Sequence, residues 1–183
     1  RHDPDKILVG EIRDPETAQI AIQSALTGHL VFTSVHANNV FDVLGRFLHM
    51  GVDTYSFVSA LNGILAQRLL RKICPECAAP HQPSAEELER SGLSQAEAAL
   101  MNLRRGRGCG HCRGTGYKGR DAIGEVLILN DELRELIVAR APIRTIKEAA
   151  RGNGTRFLRE VALDLVSAGR TTLEEINRVT FVA

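Results

Sequence analysis

Apolar positions recur along this chain at two periods, and the switches between them mark its elements. Residues 5–11, Asp-Lys-Ile-Leu-Val-Gly-Glu, form a short apolar run closed by a carboxylate, the pattern of a strand buried on both faces of a parallel sheet. Asp14 is a natural N-cap, with Pro15 at the first helical position and Glu16 in the first turn. The helix they open carries Ala18, Ile20, Ala21, Ile22, Ala25 and Leu26 inward until Gly28 ends it in a left-handed cap. Residues 30–35 read as a second strand with His36 at its carboxyl end. Strand, helix and strand form one crossover unit, and such crossovers are right-handed.

Asn38 or Asn39 caps the next helix, over Phe41, Leu44, Phe47 and Leu48, closed by Gly51. Asp53 opens a longer one, in which Phe57, Val58, Leu61, Ile64, Leu65 and Leu69 recur at helical spacing and Arg68, Arg71 and Lys72 favour the terminal dipole. Ser84-x-x-Glu87 and Ser94-x-x-Glu97 are capping boxes and predict two short helices. Residues 122–129 fit a strand. The remainder is helical: Asp131 caps a helix ending near Ala139, and others cover residues 146–151 and 157–168. Thr171 or Thr172 caps the last, over residues 173–179. Two strands do not make a stable sheet. The neighbours of residues 7–9 are therefore expected outside this sequence, and the chain is read as the carboxyl-terminal fragment of a larger protein.

The four cysteines form two pairs, Cys74-x-x-Cys77 and Cys109-x-x-Cys112, separated by residues 78–108. Two such knuckles are the usual source of a closed tetrahedral thiolate set for structural Zn²⁺, with an insert between them. No charged-then-apolar leader opens the chain, so disulfides are the lesser reading. A hydrophobic fraction of 44% and a charged fraction of 25% belong to a soluble globular chain. The formal net charge of +1 removes a global electrostatic case for nucleic acid. Charge is local instead. Residues 98–120 hold no acid, but Arg104, Arg105, Arg107, Arg113, Lys118 and Arg120 are basic. They either balance the thiolates or meet acidic lipid, a membrane partner or phosphates. No aromatics interleave them, which disfavours nucleic acid again.

Lys6-Ile-Leu-Val-Gly10-Glu11-Ile-Arg13 has the form of a Walker B strand, which ends in an acid because nucleotide-bound Mg²⁺ sits beyond the strand's carboxyl edge. Taken alone, the same string equally describes a buried strand whose terminal Glu pairs with Arg13. The next strand adds His29 before it and His36 after it, the latter at the edge where open α/β sheets bind ligands.

Gly10-Glu-Ile-Arg-Asp-x-Glu-Thr17, Thr27-Gly-His-Leu, Ser34-x-His-x-Asn38, Leu65-Ala-Gln-Arg-Leu69 and the tetracysteine followed by Gly116-Tyr-Lys-Gly-Arg120 together resemble the type II secretion and type IV pilus assembly ATPases, from Asp3 to Thr180. The resemblance implies an α/β fold made of part of a RecA-like P-loop ATPase core (residues 1–72), a tetracysteine zinc-binding module (73–120) and a mainly helical C-terminal subdomain (121–183). It also implies a homo-hexamer, cytoplasmic and peripheral at the inner membrane. Its work would be ATP hydrolysis with Mg²⁺, and its partners the platform and linker proteins of the secretion or pilus machine, with acidic phospholipid a further contact. By motif match, Gly10 and Glu11 correspond to the Walker B site, with Arg13 beside them. His29 and His36 correspond to a histidine box that senses the γ-phosphate, and Arg120 is a candidate nucleotide contact. Cys74, Cys77, Cys109 and Cys112 correspond to the structural zinc ligands. The family's Ser-Thr-Leu-His-Thr-Asn is Thr33-Ser-Val-His-Ala-Asn38 here, with histidine and asparagine kept. A P-loop needs Gly-Lys-Ser/Thr, and none of the 16 glycines is followed by Lys. The rival reading is a non-enzymatic zinc-binding adaptor with the strand–helix–strand unit as scaffold.

Overall fold

The structure, a computed structural model, describes residues 4–180; the readings at residues 1–3 and 181–183, including Asp3 where the resemblance begins, lie outside the described residues. The chain forms two compact units. One runs up to Ala66 and takes in Val126–Thr155; the other comprises Gln67–Glu125 and the residues from Arg156 onward.

In the first unit β1 (Lys6–Val9) and β2 (Leu30–Thr33) pair in parallel, with Lys6 opposite Leu30 and Val9 opposite Thr33. The crossover is α1 (Pro15–Leu26), capped by Asp14, whose carboxylate accepts from Thr17 N at 2.8 Å. Helix α1 buries Ala18, Ala21 and Ile22, but Ile20 and Leu26 are exposed, contrary to the inward face expected of them. A helix on a sheet covers one stripe about 100° wide, and these two fall off its edge. Strand β1 likewise departs from burial on both faces: Leu8 is 79% exposed, and Phe32 on β2 is 54% exposed.

Helix α2 (Val40–His49) is capped by Asn39, whose Oδ1 accepts from the amides of Phe41 and Asp42 at 2.9 Å. The expected long helix from Asp53 is instead the short α3 (Thr54–Ala60) followed by the strand β3 (Gly63–Ile73). Phe57 of α3 stacks on Phe47 of α2 at 4.3 Å, which consumes the apolar face of one short helix. Leu61 then turns extended, and β3 pairs with β6 (Tyr117–Ile128). Leu65 and Leu69 are exposed while Ile64 and Leu70 are buried, so a strand's two faces produced spacings that also fit a helix. Arg68, Arg71 and Lys72 are strand residues and cap no helix. Helix α6 (Asp131–Val138) is capped by Asn130 rather than Asp131, which lies in its first turn. Arg134 of α6 donates to the Val58 carbonyl of α3, and α7 (Ile143–Gly152) completes the unit.

In the second unit β4 (Ala78–Pro80) and β5 (Arg104–Gly106) pair antiparallel around the two predicted helices, α4 (Ala85–Arg90) and α5 (Gln95–Ala99). Ser84 and Ser94 cap these helices as expected. Helix α8 (Leu158–Ser167) begins where its Leu158 amide donates to the buried Glu125 carboxylate at 2.8 Å. Helix α9 (Leu173–Val179) is capped by Thr172 and carries the fully buried Glu175. That carboxylate accepts from the Arg71 amide at 2.9 Å, Arg71 Nε at 2.8 Å and Arg178 Nη2 at 2.7 Å. Arg71 also lies over the Tyr117 ring at 4.1 Å, and the Tyr117 hydroxyl meets Thr172 Oγ1 at 2.7 Å.

Burial alone would raise the Glu175 pKa, but the Arg178 and Arg71 guanidiniums and the Arg71 amide hold it at about 2, below the ordinary 4.5. The unfolded chain therefore binds the proton first. The stability gained is complete above pH 4.5 and is lost as pH falls through about 2. Thermal melts between these limits are expected to show a steeper loss for the wild type than for Glu175→Gln. At neutral pH Glu175→Ala, which leaves the Arg71 amide without its acceptor while the exposed guanidiniums turn to water, should cost about 1–3 kcal/mol.

Candidate functional site

The parallel pairing of β1 with β2 continues past their last strand residues. Ile12 N donates to the Ser34 carbonyl at 3.0 Å and Ser34 Oγ donates to the Gly10 carbonyl at 2.7 Å. With Ile12 only 2% exposed, residues 10–12 are fixed by one buried anchor and these two hydrogen bonds. Between them Glu11 projects at the carboxyl edge. Its Oε1 lies 3.1 Å from His36 Nε2, and its other oxygen is ion-paired with the Arg13 guanidinium. The pairing with Arg13 that the sequence allowed is thus present, together with the approach of His36.

The hydrogen bond from Arg13 lowers the Glu11 pKa against the opposing effect of burial, and the charges of Arg13, His36 and Arg46 add to it. The carboxylate stays ionised, and an ionised oxygen at a strand's carboxyl edge is the donor that Mg²⁺ accepts. A Cβ built at Gly10 would meet nothing within 4 Å, so space remains beside the edge. Arg46, on α2, was not singled out by sequence; only the return of α2 reveals its field at Glu11. His29 stands at the other end of β2. Its Nδ1 donates to the Ser24 carbonyl at 2.9 Å and lies 3.3 Å from Thr27 Oγ1, which seals the end of α1 and does not bring it to Glu11. Arg120, in the other unit, is exposed on β6.

The four cysteine sulfurs of the second unit lie within 4.8 Å of one another. Cys74–Cys109 and Cys77–Cys112 are separated by 3.9 Å and Cys109–Cys112 by 3.7 Å. Zn–S bonds of about 2.3 Å place tetrahedral sulfurs about 3.8 Å apart, so donor type, number and spacing fit Zn²⁺. The supporting backbone is tight. A Cβ at Gly106 would stand 2.1 Å from the Gly116 carbonyl oxygen, which only glycine at that crossing avoids. Burial pushes the Cys112 thiol up, but amide donation from Cys109 and Gly116, at 3.2 and 3.3 Å, brings it down to about 6. Burial and its neighbouring sulfurs push Cys77 up to about 11, a repulsion that a bound cation would relieve. Among the basic residues, Arg104 donates to the Ala78 carbonyl at 3.1 Å and Arg105 pairs with Glu174 at 3.1 Å.

Comparison with known proteins agrees with the motifs. The family model described as "Type II/IV secretion system protein" matches residues 1–178. The chain is 49% identical over 176 residues to the type IV pilus assembly ATPase PilB of Thermus thermophilus, covering 96% of this chain and 20% of that protein. It is 46% identical over 181 residues to type II secretion system protein E of Xanthomonas campestris, covering 98% and 32%. Among solved structures, the Legionella pneumophila ATPase DotB superposes with a TM-score of 0.62 at 19% identity, over 98% of this chain and 39% of that one. The chain thus spans a fifth to about a third of the length of these curated relatives.

Protein purified without chelator is expected to contain about one equivalent of zinc, since four thiolates close one tetrahedral site. Strong chelation, or Cys74→Ser, should open residues 74–120 to hydrogen exchange before the rest of the chain, because structural metal binding is folding free energy. Less than half an equivalent, or protection unchanged on chelation, would contradict this.

Proposed function

Because the chain belongs to the type II/IV secretion system protein family, we propose that it forms part of a motor that hydrolyses ATP to ADP and phosphate and drives type II protein secretion or type IV pilus assembly. The observation that carries this reading is the meeting of Glu11 and His36 at the carboxyl edge of β1 and β2. In this reading Glu11 holds Mg²⁺ or its water, with Gly10 leaving room for phosphate, and His36 senses the γ-phosphate beside it. His29 is a positioning residue at the far end of the same strand. Arg13 pairs with the Glu11 carboxylate that would hold Mg²⁺, and Arg120 is a candidate contact to nucleotide.

The phosphate cradle lies outside these 183 residues, which hold no Gly-Lys dipeptide. Residues 1–72 thus supply the nucleotide edge, 73–120 a structural zinc module and 121–183 a helical support. The intact motor is a hexamer at the cytoplasmic side of the inner membrane. It engages membrane platform and linker proteins, with acidic phospholipid close by.

In the longer protein that carries the P-loop, Glu11→Gln should leave ATP affinity nearly unchanged and cut turnover by about a hundredfold or more, the scale of a lost transition-state charge contact. Melting temperature, nucleotide affinity and turnover are measured on one preparation. If the chain were a zinc adaptor with Glu11 only a partner of Arg13, activity would fall only in proportion to folded protein. Near-normal turnover in a well-folded variant would rule out the Walker B role. The 183-residue chain alone should show no turnover, because P-loop positioning supplies most of the catalysis. Hydrolysis that scales with its concentration and vanishes in Glu11→Gln would overturn that expectation.

A further inference from the structure

Within the first unit, α2 and the α6–α7 connection enclose an apolar groove of about 340 Å³. Phe41, Leu44 and Leu48 form one wall and Ile137, Ile143 and Ile146 the other. Its floor is core, with Leu44, Ile137 and Ile146 buried, but its lips are open, with Ile143 50% and Leu48 37% exposed. The α2 positions that line it, 41, 44, 45 and 48, are spaced as the stripe one helix presents to another. Helix α2 buries Val40, Phe41, Val43, Leu44 and Phe47 and leaves Leu48 37% exposed at the groove's lip.

Two observations specify what fits there. Gly45 sits in the middle of α2, where glycine costs about 0.5–1 kcal/mol relative to alanine. A Cβ built on it would meet nothing within 4 Å, so no packing in this chain requires its absence. The missing side chain leaves a notch through which another backbone can approach. The rim, moreover, is basic. Arg140 lines the groove, and Lys147 Nζ stands 5.7 Å from the ring of Phe41. The nearby acids are engaged elsewhere: Glu148 with Arg144 at 2.9 Å and Asp42 with the Asn38 amide at 3.2 Å. Among the described residues no carboxylate pairs with Arg140 or Lys147.

We propose that this groove is a docking site for an acidic amphipathic helix of a partner protein, whose apolar residues seat over Gly45 and whose carboxylates meet Arg140 and Lys147. The assignment does not depend on ATP hydrolysis.

The test uses a synthetic peptide of leucine and glutamate patterned as an amphipathic helix. Its counterpart carries lysine in place of glutamate, and both are titrated by fluorescence anisotropy. Saturable binding of the acidic peptide alone is expected. Gly45→Leu, which fills the notch, should weaken it about tenfold or more, as the loss of a buried anchor does. Gly45→Ala should raise the melting temperature and still weaken binding. The double change Arg140→Glu and Lys147→Glu should transfer the preference to the lysine peptide. Circular dichroism establishes that each variant is folded. Equal binding of both peptides, or insensitivity to Gly45→Leu in folded protein, overturns the proposal. So does preferential binding of anionic phospholipid vesicles, which would make the groove a lipid site. Self-association in sedimentation that Gly45→Leu abolishes would make it an interface between copies, and equally overturns it.

Discussion

The register of β1 on β2 is the constraint on which the candidate chemistry depends. Parallel strands pair only through a long crossover, so nothing in local sequence brings residues 10–12 to residues 34–36. What does so is α1, whose Asp14 cap and buried Ala18, Ala21 and Ile22 fix where the chain turns back. Once Lys6 is opposite Leu30, Gly10 falls beside Ser34 and Glu11 comes within reach of His36. A slip of one residue would turn each of these side chains to the other face. The bonds of Ile12 to Ser34 and of Ser34 to Gly10 hold the register where the strands themselves have ended.

Much of this was legible in sequence because it depends on short-range chemistry. Asp14, Asn39, Ser84, Ser94 and Thr172 cap their helices because a side-chain oxygen two or three residues upstream is a local matter. The two knuckles announce themselves by spacing. Strand β3 did not, because Ile64, Leu65 and Leu69 fit both periods, and only pairing with β6 selects the strand. Gly63 carries the missed signal: a Cβ there would stand 3.1 Å from the Leu127 carbonyl oxygen, a contact tight enough to favour glycine where the two strands close. Glu175 was invisible for the opposite reason. Its partner Arg71 is remote in sequence, and a surface-looking Glu-Glu pair in a helix's first turn gives no hint that one member is buried.

The basic stretch shows how one composition divides into roles. Four thiolates around Zn²⁺ would leave net negative charge, which nearby arginines can offset. Arg104 and Arg105 are already spent on Ala78 and Glu174, so they hold β5 in place. Arg120 is exposed on β6 and takes no part in holding β5.

At Glu11 the same economy of charge bears on mechanism. The Glu11 carboxylate is ion-paired with Arg13 through one oxygen, and its other oxygen lies 3.1 Å from His36 Nε2, so in the proposed reading a bound Mg²⁺ would compete with these contacts. Arg13 and His36 are both exposed, at 73% and 81%, so water screens both contacts and neither holds Glu11 strongly. An Arg13 guanidinium released from Glu11 would be free for bidentate contact with phosphate oxygens. The ion pair with Arg13 is therefore compatible with the proposed metal-holding role of Glu11 as well as with a purely structural one. The hydrogen bond from Arg13 keeps Glu11 ionised and oriented, the state that the proposed metal-holding role would require of it.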